Sequence, residues 1–381
     1  MNEKYLKKIR DILASRTEPK SRFAFLKSCK NVMVYGAGNC GKDVLSILVR
    51  HGVPVLCFLD WKVPSGTIVN GYMVLPPDDN SISTDQRKTT CVVIGIFNRD
   101  ADVPSITKAL RKNGFSNVVN FPEFHSHFPD ETGDRYWLTS TKFYDALVHI
   151  LAEGLAVWND QKSRQLYESI LKFRFTGDYK FLPEPEGGTQ YFDPKMPRWK
   201  TPINFVDCGS YTGDTLIELS GKYGRVNHIS AFEPDPENFA NLNRLVRSRK
   251  IPFGKTIVLF PCAVWSHTTQ MNFSTAPQGG AGNLSSRGDI TVQCVAIDEC
   301  LHHFHPTLIK MDVEGAELSA LLGAKETIRD SRPGLAICLY HRPEHLWQIP
   351  LLLKQWDPRY EFALRLYRHA GFDLVMYARP S

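Results

Sequence analysis

The chain lacks several sequence patterns that would identify a membrane, secreted, metal-binding or nucleic-acid-binding protein. It has no apolar run long enough to span a bilayer, and its polar start, MNEKYLKKIRD, is unlike a signal peptide. Its nine cysteines include no CxxC pair, so buried thiols in a reducing compartment are expected. The net charge of +6 is modest and spread along the chain, which gives no support for a nucleic-acid partner. We therefore expect a cytoplasmic protein with no membrane span.

The composition is that of an ordinary globular protein with room for two domains. The chain has 381 residues, of which 43% are hydrophobic and 23% charged. We predict an α/β domain over residues 1–124, a helical connector and loop over 125–200, and a second α/β domain over 201–381. The connector is indicated by TKFYDALVHILAEGLAVW and QKSRQLYESILKFR, whose apolar residues have helical spacing, and by LPEPEGG, which breaks that pattern.

The first domain begins with a strand, a glycine-rich turn and a helix. Gly36, Gly38 and Gly41 have GxGxxG spacing, and a second strand ends at Asp60. One interpretation is a nucleotide or nucleotide-sugar site, with a phosphate at the helix start and Asp60 on a ribose. The other is that the glycines only permit the turn between strand and helix. A lone GxGxxG leaves both open.

The second domain also begins with a strand and a glycine-rich turn, but its motif is different. In FVDCGSYTGDT, an apolar strand ends at Asp207. Gly209 and Gly213 would let the backbone approach a ligand and let the following helix pack tightly on the strand. A second strand ends at Glu233, which is placed to accept hydrogen bonds from a ribose diol. The turn reads DxGxxxG, which suits a ligand without a pyrophosphate, such as S-adenosylmethionine.

Four segments in a fixed order carry a family resemblance. FVDCGSYTGDT, AFEPDPENFANL, IKMDVEGAELSALLGA and CLYHRPEHLWQIP resemble the FkbM family of S-adenosylmethionine-dependent methyltransferases, from about Gln190 to the end. The resemblance implies the class I methyltransferase Rossmann-like fold, with a seven-stranded sheet closed by an antiparallel hairpin. It also implies methylation of a hydroxyl, in many relatives on a sugar or a natural product. The first domain looks like the small Rossmann-like domain at the front of some sugar-modifying enzymes.

Motif and fold together predict a cofactor site. The following residues are expected to contact or surround S-adenosylmethionine: Tyr191, Asp207, Gly209, Ser210, Tyr211, Thr212, Gly213, Asp214, Glu233, Pro234, Asn238, Ala263, Val264 and Asp312. Tyr191, with Phe192, resembles a segment that closes over the cofactor in the family, and hydrophobic docking is the alternative. Asn238 either touches adenosine or caps a helix. Ala263 and Val264 form the turn where adenine usually lies in this fold.

The catalytic residues are expected where the fourth and fifth strands end. His341 is the predicted general base, because an imidazole titrates near neutrality and can accept the proton of an attacking alcohol. The alternative for His341 is a histidine bonded into the loop structure. Asp312 would orient the acceptor hydroxyl or the methionyl ammonium. Glu314, on the same loop, could instead cap the following helix. Glu317 is interpreted as mainly structural, at the start of the following helix. Asp312, Glu314 and His341 also form an oxygen- and nitrogen-rich set that suits Mg²⁺, although no metal is favoured.

The expected partner is a small-molecule or glycan acceptor. One alternative is an NAD-dependent sugar oxidoreductase that uses the amino-terminal GxGxxG, but no hydride-site constellation accompanies that motif. A second alternative is a catalytically silent binding module of a glycan-assembly system. The joint presence of Asp207, Gly209, Gly213, Glu233 and Asp312 favours an enzyme over such a module.

Overall fold

The computed structural model describes residues 3–16, 31–196, 198–248, 250–275 and 282–381. Its contacts divide the chain into two compact units. The first contains the described residues up to Ala152, together with Gln165–Pro185 and Arg368–Phe372. The second contains Glu153–Arg164, Glu186–Tyr367 and Asp373–Ser381. The residues predicted as a connector are thus divided between the two units.

The first unit is built on a mostly parallel sheet. Within the described residues its strands are β1 (Val32–Tyr35), β2 (Val55–Leu59), β3 (Ile68–Val69), β4 (Tyr72–Leu75), β5 (Cys91–Ile94) and β6 (Asn117–Val119). Their order is β3-β4-β2-β1-β5-β6, and only the β3–β4 pair is antiparallel. Strands β1 and β5 are buried along their whole length, as expected for central parallel strands. The sequence predicted four of these strands and missed the short β3–β4 hairpin.

Six α-helices lie between Glu3 and Thr132 in the described residues, and three of them start at a side chain that caps the helix. They are α1 (Glu3–Ala14), α2 (Asn39–Arg50), α3 (Thr84–Thr89), α4 (Val103–Lys112), α5 (Phe121–His127) and α6 (Pro129–Thr132). Ser83 and Asn120 form capping boxes at α3 and α5, and Asp102 caps α4. The two segments predicted as connector helices contain α7 (Val148–Ala156) and α8 (Gln161–Thr176).

The second unit contains a seven-stranded sheet in the described part of the chain. Its strands are β7 (Asn204–Cys208), β8 (Val226–Phe232), β9 (Gly254–Phe260), β14 (Leu308–Met311), β15 (Gly334–Cys338), β16 (Tyr360–Leu366) and β17 (Leu374–Pro380). The order is β16-β17-β15-β14-β7-β8-β9, with five parallel strands and the antiparallel β16–β17 hairpin at one edge. This confirms the predicted fold class. The parallel strands place all their carboxyl ends along one edge.

Helices connect these strands. They are α9 (Asp214–Tyr223), α10 (Pro236–Arg247), α11 (Ile297–Cys300), α12 (Glu317–Leu322), α13 (Lys325–Ser331) and α14 (His345–Trp356). Asp235 caps α10 by accepting hydrogen bonds from the backbone N–H groups of Glu237 and Asn238, at 2.9 and 3.0 Å. The capping role that was an alternative for Asn238 therefore belongs to Asp235.

A small second sheet separates β9 from β14, and the sequence reasoning missed it. It contains β10 (Ala263–Val264), β11 (Thr269–Ser274), β12 (Asn283–Leu284) and β13 (Ile290–Val295), in the order β10-β13-β11-β12. The prediction of a turn at Ala263 and Val264 is therefore wrong. These residues form a two-residue strand that pairs with Cys294 and Val295, and both are buried.

No helix within the described ranges combines the length and the apolarity needed to cross a lipid bilayer.

Candidate active site

The glycine-rich turn after β7 is held by backbone hydrogen bonds to the neighbouring strand. The N–H groups of Gly209 and Ser210 both donate to the carbonyl of Phe232, at 3.0 and 2.9 Å. Gly213 then adopts φ 97° and serves as the N-cap of α9 without a side-chain cap. The first N–H groups of α9 thus face the carboxyl edge of the sheet, where they are suited to an anionic group.

Glu233, at the end of β8, fastens this turn. Its Oε2 accepts from the N–H of Tyr211 at 2.8 Å, and its Oε1 accepts from the N–H of Asp235 at 2.9 Å. The side chain is buried, and burial raises its pKa to about 7. Each oxygen retains a second acceptor position for a ligand hydroxyl. Pro234, which follows it, is half-buried at the same strand end.

Asp207 is held by an ion pair inside the sheet, and its predicted contact with the cofactor stays a prediction. Its carboxylate is fully buried, and its Oδ1 lies 3.1 Å from the Nζ of Lys310. The two residues are register partners on adjacent strands β7 and β14. Lys310 Nζ also donates to the carbonyl of Gly209, so the ion pair is bonded directly to the glycine-rich turn. The sequence reasoning missed Lys310, although a lysine inside the apolar strand LIKM signals a buried partner.

Asp312 follows β14 and connects the turn to the catalytic candidates. Its Oδ2 accepts a hydrogen bond of 2.8 Å from the hydroxyl of buried Tyr191, and its Oδ1 accepts a longer one of 3.5 Å from Tyr340. Burial raises the pKa of Asp312, but the nearby charges of Lys310 and His341 outweigh it and leave the pKa lowered. Phe192, next to Tyr191, packs edge-on against aromatic rings, as docking requires.

Two carboxylates converge on the imidazole of His341. Its Nε2 lies 3.5 Å from Asp312 Oδ1 and 3.4 Å from Glu314 Oε2, and its side chain is only 2% exposed. The Asp312 and Glu314 side chains are 21% and 23% exposed. The structure therefore brings together all three residues predicted to be catalytic. Glu314 has φ 50°, a left-handed conformation that directs its side chain here.

Glu317 lies behind His341 and does more than start a helix. Its Oε1 is 2.7 Å from His341 Nδ1 and accepts from the N–H of Val313 at 3.0 Å. Its Oε2 is 3.2 Å from the Nδ1 of His345. Glu317 is fully buried, and although burial raises its pKa, the imidazole of His341 brings it well below the ordinary value. His345, four residues after His341, was not among the predicted site residues.

The carboxylates around His341 change the pKa of its imidazole. Burial lowers its pKa, but Glu317 and Glu314 outweigh this and raise it well above the ordinary value. A raised pKa favours the protonated ring, in which Nε2 would donate to Asp312 and Glu314. The general-base role of His341 stays a prediction. The carboxylates of Asp312 and Glu314 are the acceptors beside it.

The remaining cofactor candidates divide into two groups. Ser210, Tyr211, Thr212, Gly213 and Asp214 lie in the turn or at the start of α9, and Asn238 is buried on α10. Ala263 and Val264 instead pair within the small sheet, as described above. A role for any of them in cofactor binding stays a prediction.

Packing explains why the GxGxxG turn of the first unit contains glycine. A Cβ on Gly41 would lie 1.8 Å from the carbonyl oxygen of Gly36, so the close approach of α2 to the turn requires glycine. Asp60 accepts from the N–H groups of Ala37 and Lys62, at 3.0 and 2.7 Å. Asp60 therefore has a structural role, and the predicted ribose contact stays a prediction.

Comparison with known proteins gives consistent results. Residues 207–374 match the sequence profile described as "Methyltransferase FkbM domain". Over 128 residues, 32% of this chain, the protein is 27% identical to hexuronic acid methyltransferase AglP of Haloferax volcanii. The chain spans half the length of that curated relative.

One solved structure is similar along both units. The crystal structure of methyltransferase FkbM from Methylobacillus flagellatus has a TM-score of 0.78 and 21% identity, and it covers 99% of this chain and 98% of its own. At this identity the similarity shows the fold, in both halves of the chain.

Proposed function

We propose that this chain, whose residues 207–374 belong to the FkbM methyltransferase family, transfers a methyl group from S-adenosylmethionine to a hydroxyl of a saccharide. The observation that carries the proposal is the position of Asp312. It ends the strand beside the glycine-rich turn that Glu233 holds, and its other side faces Glu314 and His341. A cofactor on the turn and an acceptor at the carboxylates would therefore meet at one point.

The chemical step needs little from the protein beyond alignment. The acceptor oxygen forms a bond to the methyl carbon while the carbon–sulfur bond breaks. The electron pair of the broken bond stays on the sulfur. The hydroxyl proton passes to a carboxylate of Asp312 or Glu314. His341, whose Nε2 lies 3.5 and 3.4 Å from these carboxylates, would hold them in position.

The saccharide class rests on similarity. AglP is described as a hexuronic acid methyltransferase, and its alignment covers about a third of this chain. The purified protein should be assayed with labelled S-adenosylmethionine against nucleotide sugars, uronic acids and glycan fragments. Transfer of label to a saccharide hydroxyl supports the proposal. If the protein binds S-adenosylhomocysteine but transfers label to none of these acceptors, only the cofactor part of the proposal is supported.

Removing the Glu233 carboxylate is expected to weaken cofactor binding. Glu233→Ala removes an acceptor for two ribose hydroxyls and loosens the turn at Tyr211. We expect S-adenosylhomocysteine affinity to fall by about 2–3 kcal/mol, or about 30- to 150-fold, in calorimetry. An analogue that lacks both ribose hydroxyls is the control, because its affinity should fall only by the effect of the loosened turn, and so by less than that of the complete ligand. An unchanged affinity for the complete ligand would place the cofactor elsewhere.

The same residue predicts a pH dependence. Burial raises the pKa of Glu233 to about 7, so the free protein holds a proton there below that pH. A ribose diol donates to the ionised form, so binding releases the proton and affinity rises with pH. We expect S-adenosylhomocysteine to bind about tenfold more tightly at pH 8 than at pH 6. Calorimetry in buffers of different ionisation enthalpy should detect the released proton, and Glu233→Gln should remove it.

A further inference from the structure

We propose that Asp312, Glu314 and His341 bind one divalent cation of the Mn²⁺ or Mg²⁺ class. The proposal adds to the proposed function, because the ion would lie where the acceptor hydroxyl is expected. One carboxylate oxygen from each acid and the Nε2 of the imidazole lie within 4.8 Å of one another. Cation binding by these atoms is independent of which acceptor is methylated.

The distances are those of converging ligands. Nε2 of His341 lies 3.5 Å from Asp312 Oδ1 and 3.4 Å from Glu314 Oε2. A tight charge-assisted hydrogen bond would measure about 2.7–2.9 Å. Two ligand atoms at about 2.1 Å from a common ion lie about 3.0 Å apart at a right angle and about 3.4 Å apart at a tetrahedral angle. Small side-chain shifts would therefore complete the coordination.

The far side of the imidazole supplies an independent observation. His341 is 2% exposed, and its Nδ1 lies 2.7 Å from Glu317 Oε1. In this contact the Nδ1–H donates to the Glu317 carboxylate and directs Nε2 to Asp312 and Glu314, which is the usual arrangement behind a metal-bound histidine. A bound cation would take the place of any proton on Nε2. Glu317 is itself held by the N–H of Val313 and by His345.

The hydrogen bond from Tyr191 leaves Asp312 one carboxylate oxygen for a cation. Tyr191 donates to its Oδ2 at 2.8 Å, so Oδ1 remains on the side of His341, where Tyr340 is 3.5 Å away. Two carboxylates and one imidazole suit a hard to intermediate cation, with Mn²⁺ the best match to a mixed oxygen and nitrogen set. The other coordination positions would be left for water and the acceptor. An alcohol bound to such an ion is more acidic and is held for attack.

Manganese titration tests the proposal without any enzymatic assay. Free Mn²⁺ is followed by electron paramagnetic resonance during titration of the full chain, with and without S-adenosylhomocysteine. We expect one equivalent to bind wild type. Glu314→Gln, which keeps the shape of a partly exposed side chain, should weaken binding at least tenfold. Asp312→Asn and His341→Gln should do the same, and Glu317→Gln should weaken it by about 10- to 100-fold.

Matched controls identify the site. Glu326→Gln changes an exposed carboxylate on α13, and His302→Gln changes a histidine in the turn after α11, so both should bind Mn²⁺ like wild type. Thermal melts check that the variants fold. Binding that survives Glu314→Gln and Asp312→Asn, or a wild type that binds S-adenosylhomocysteine but no Mn²⁺, would overturn the cation site. The latter result leaves the proposed methyl transfer intact, whereas Mn²⁺ binding without cofactor binding would count against methyl transfer alone.

Discussion

Lys310→Met is expected to lower the free energy of unfolding of the second unit by about 3–5 kcal/mol. Lys310 and Asp207 are both buried, and their charged atoms lie 3.1 Å apart. Burial lowers the pKa of Lys310, but Asp207 and other nearby acidic groups outweigh it and leave the pKa raised, so the lysine stays charged inside the sheet. Burial raises the pKa of Asp207, and Lys310 opposes this shift. Removing it leaves a buried carboxylate without its cation, and the carbonyl of Gly209 loses a donor. Urea denaturation followed by circular dichroism measures the loss.

A second substitution separates the lost pair from lost packing. Adding Asp207→Asn to Lys310→Met removes the stranded charge, so the double variant should recover much of the stability. Lys255→Met, at an exposed lysine on β9, is the control and should change stability by less than about 0.5 kcal/mol. If Lys310→Met matched this control, the ion pair would not support the turn.

The strands that end at the site could be predicted because each has a local signal. β8 and β14 are strands followed directly by Glu233 and Asp312, and Asp207 is the next-to-last residue of β7. The carboxyl edge of a parallel sheet brings such strand ends together. The closing hairpin had an alternating pattern on both sides of RHAG, and the structure pairs Leu366 with Leu374 across it.

Other features depend on contacts that no local pattern encodes. The small sheet that contains Ala263 and Val264 forms from strands of two to six residues, and its pairing joins segments about thirty residues apart. The chemistry of His341 is a second case. The sequence shows an imidazole, but only the fold shows that Glu317 lies behind it and two carboxylates in front. These neighbours raise the pKa of the imidazole and place its Nε2 beside two carboxylates, which the residue type alone does not reveal.

The sequence predicts that Gly209 and Gly213 let the backbone approach a ligand and let the following helix pack tightly on the strand. The structure shows close packing at both glycines, and the approach to a ligand stays a prediction. In the structure, a Cβ on Gly213 would meet the side chains of Leu245 and Leu242 on α10, at 2.5 and 3.0 Å. A Cβ on Gly209 would meet the carbonyl oxygen of Asp312, at 2.0 Å. The two turns that carry the proposed cofactor and acceptor groups are therefore in direct contact.

Gly209→Ala is accordingly expected to damage both parts of the site with one methyl group. Gly209 has φ 80°, which costs an alanine about 1–2 kcal/mol, and the clash with Asp312 adds about 1–3 kcal/mol. We expect the free energy of unfolding to fall by about 2–5 kcal/mol. Relief of the clash must move Asp312 away from β7, although its N–H is bonded to Cys208 there.

That displacement distinguishes a shared site from two separate ones. Because Asp312 contacts Tyr191 and His341 on its other side, we expect Gly209→Ala to weaken S-adenosylhomocysteine and Mn²⁺ binding together, each at least tenfold. Gly221→Ala is the matched control, since a Cβ there meets open space on α9 and should leave both affinities unchanged. A folded Gly209→Ala protein that lost S-adenosylhomocysteine but kept Mn²⁺ would show that the turn acts on the cofactor alone, and that Asp312 does not couple it to the carboxylates.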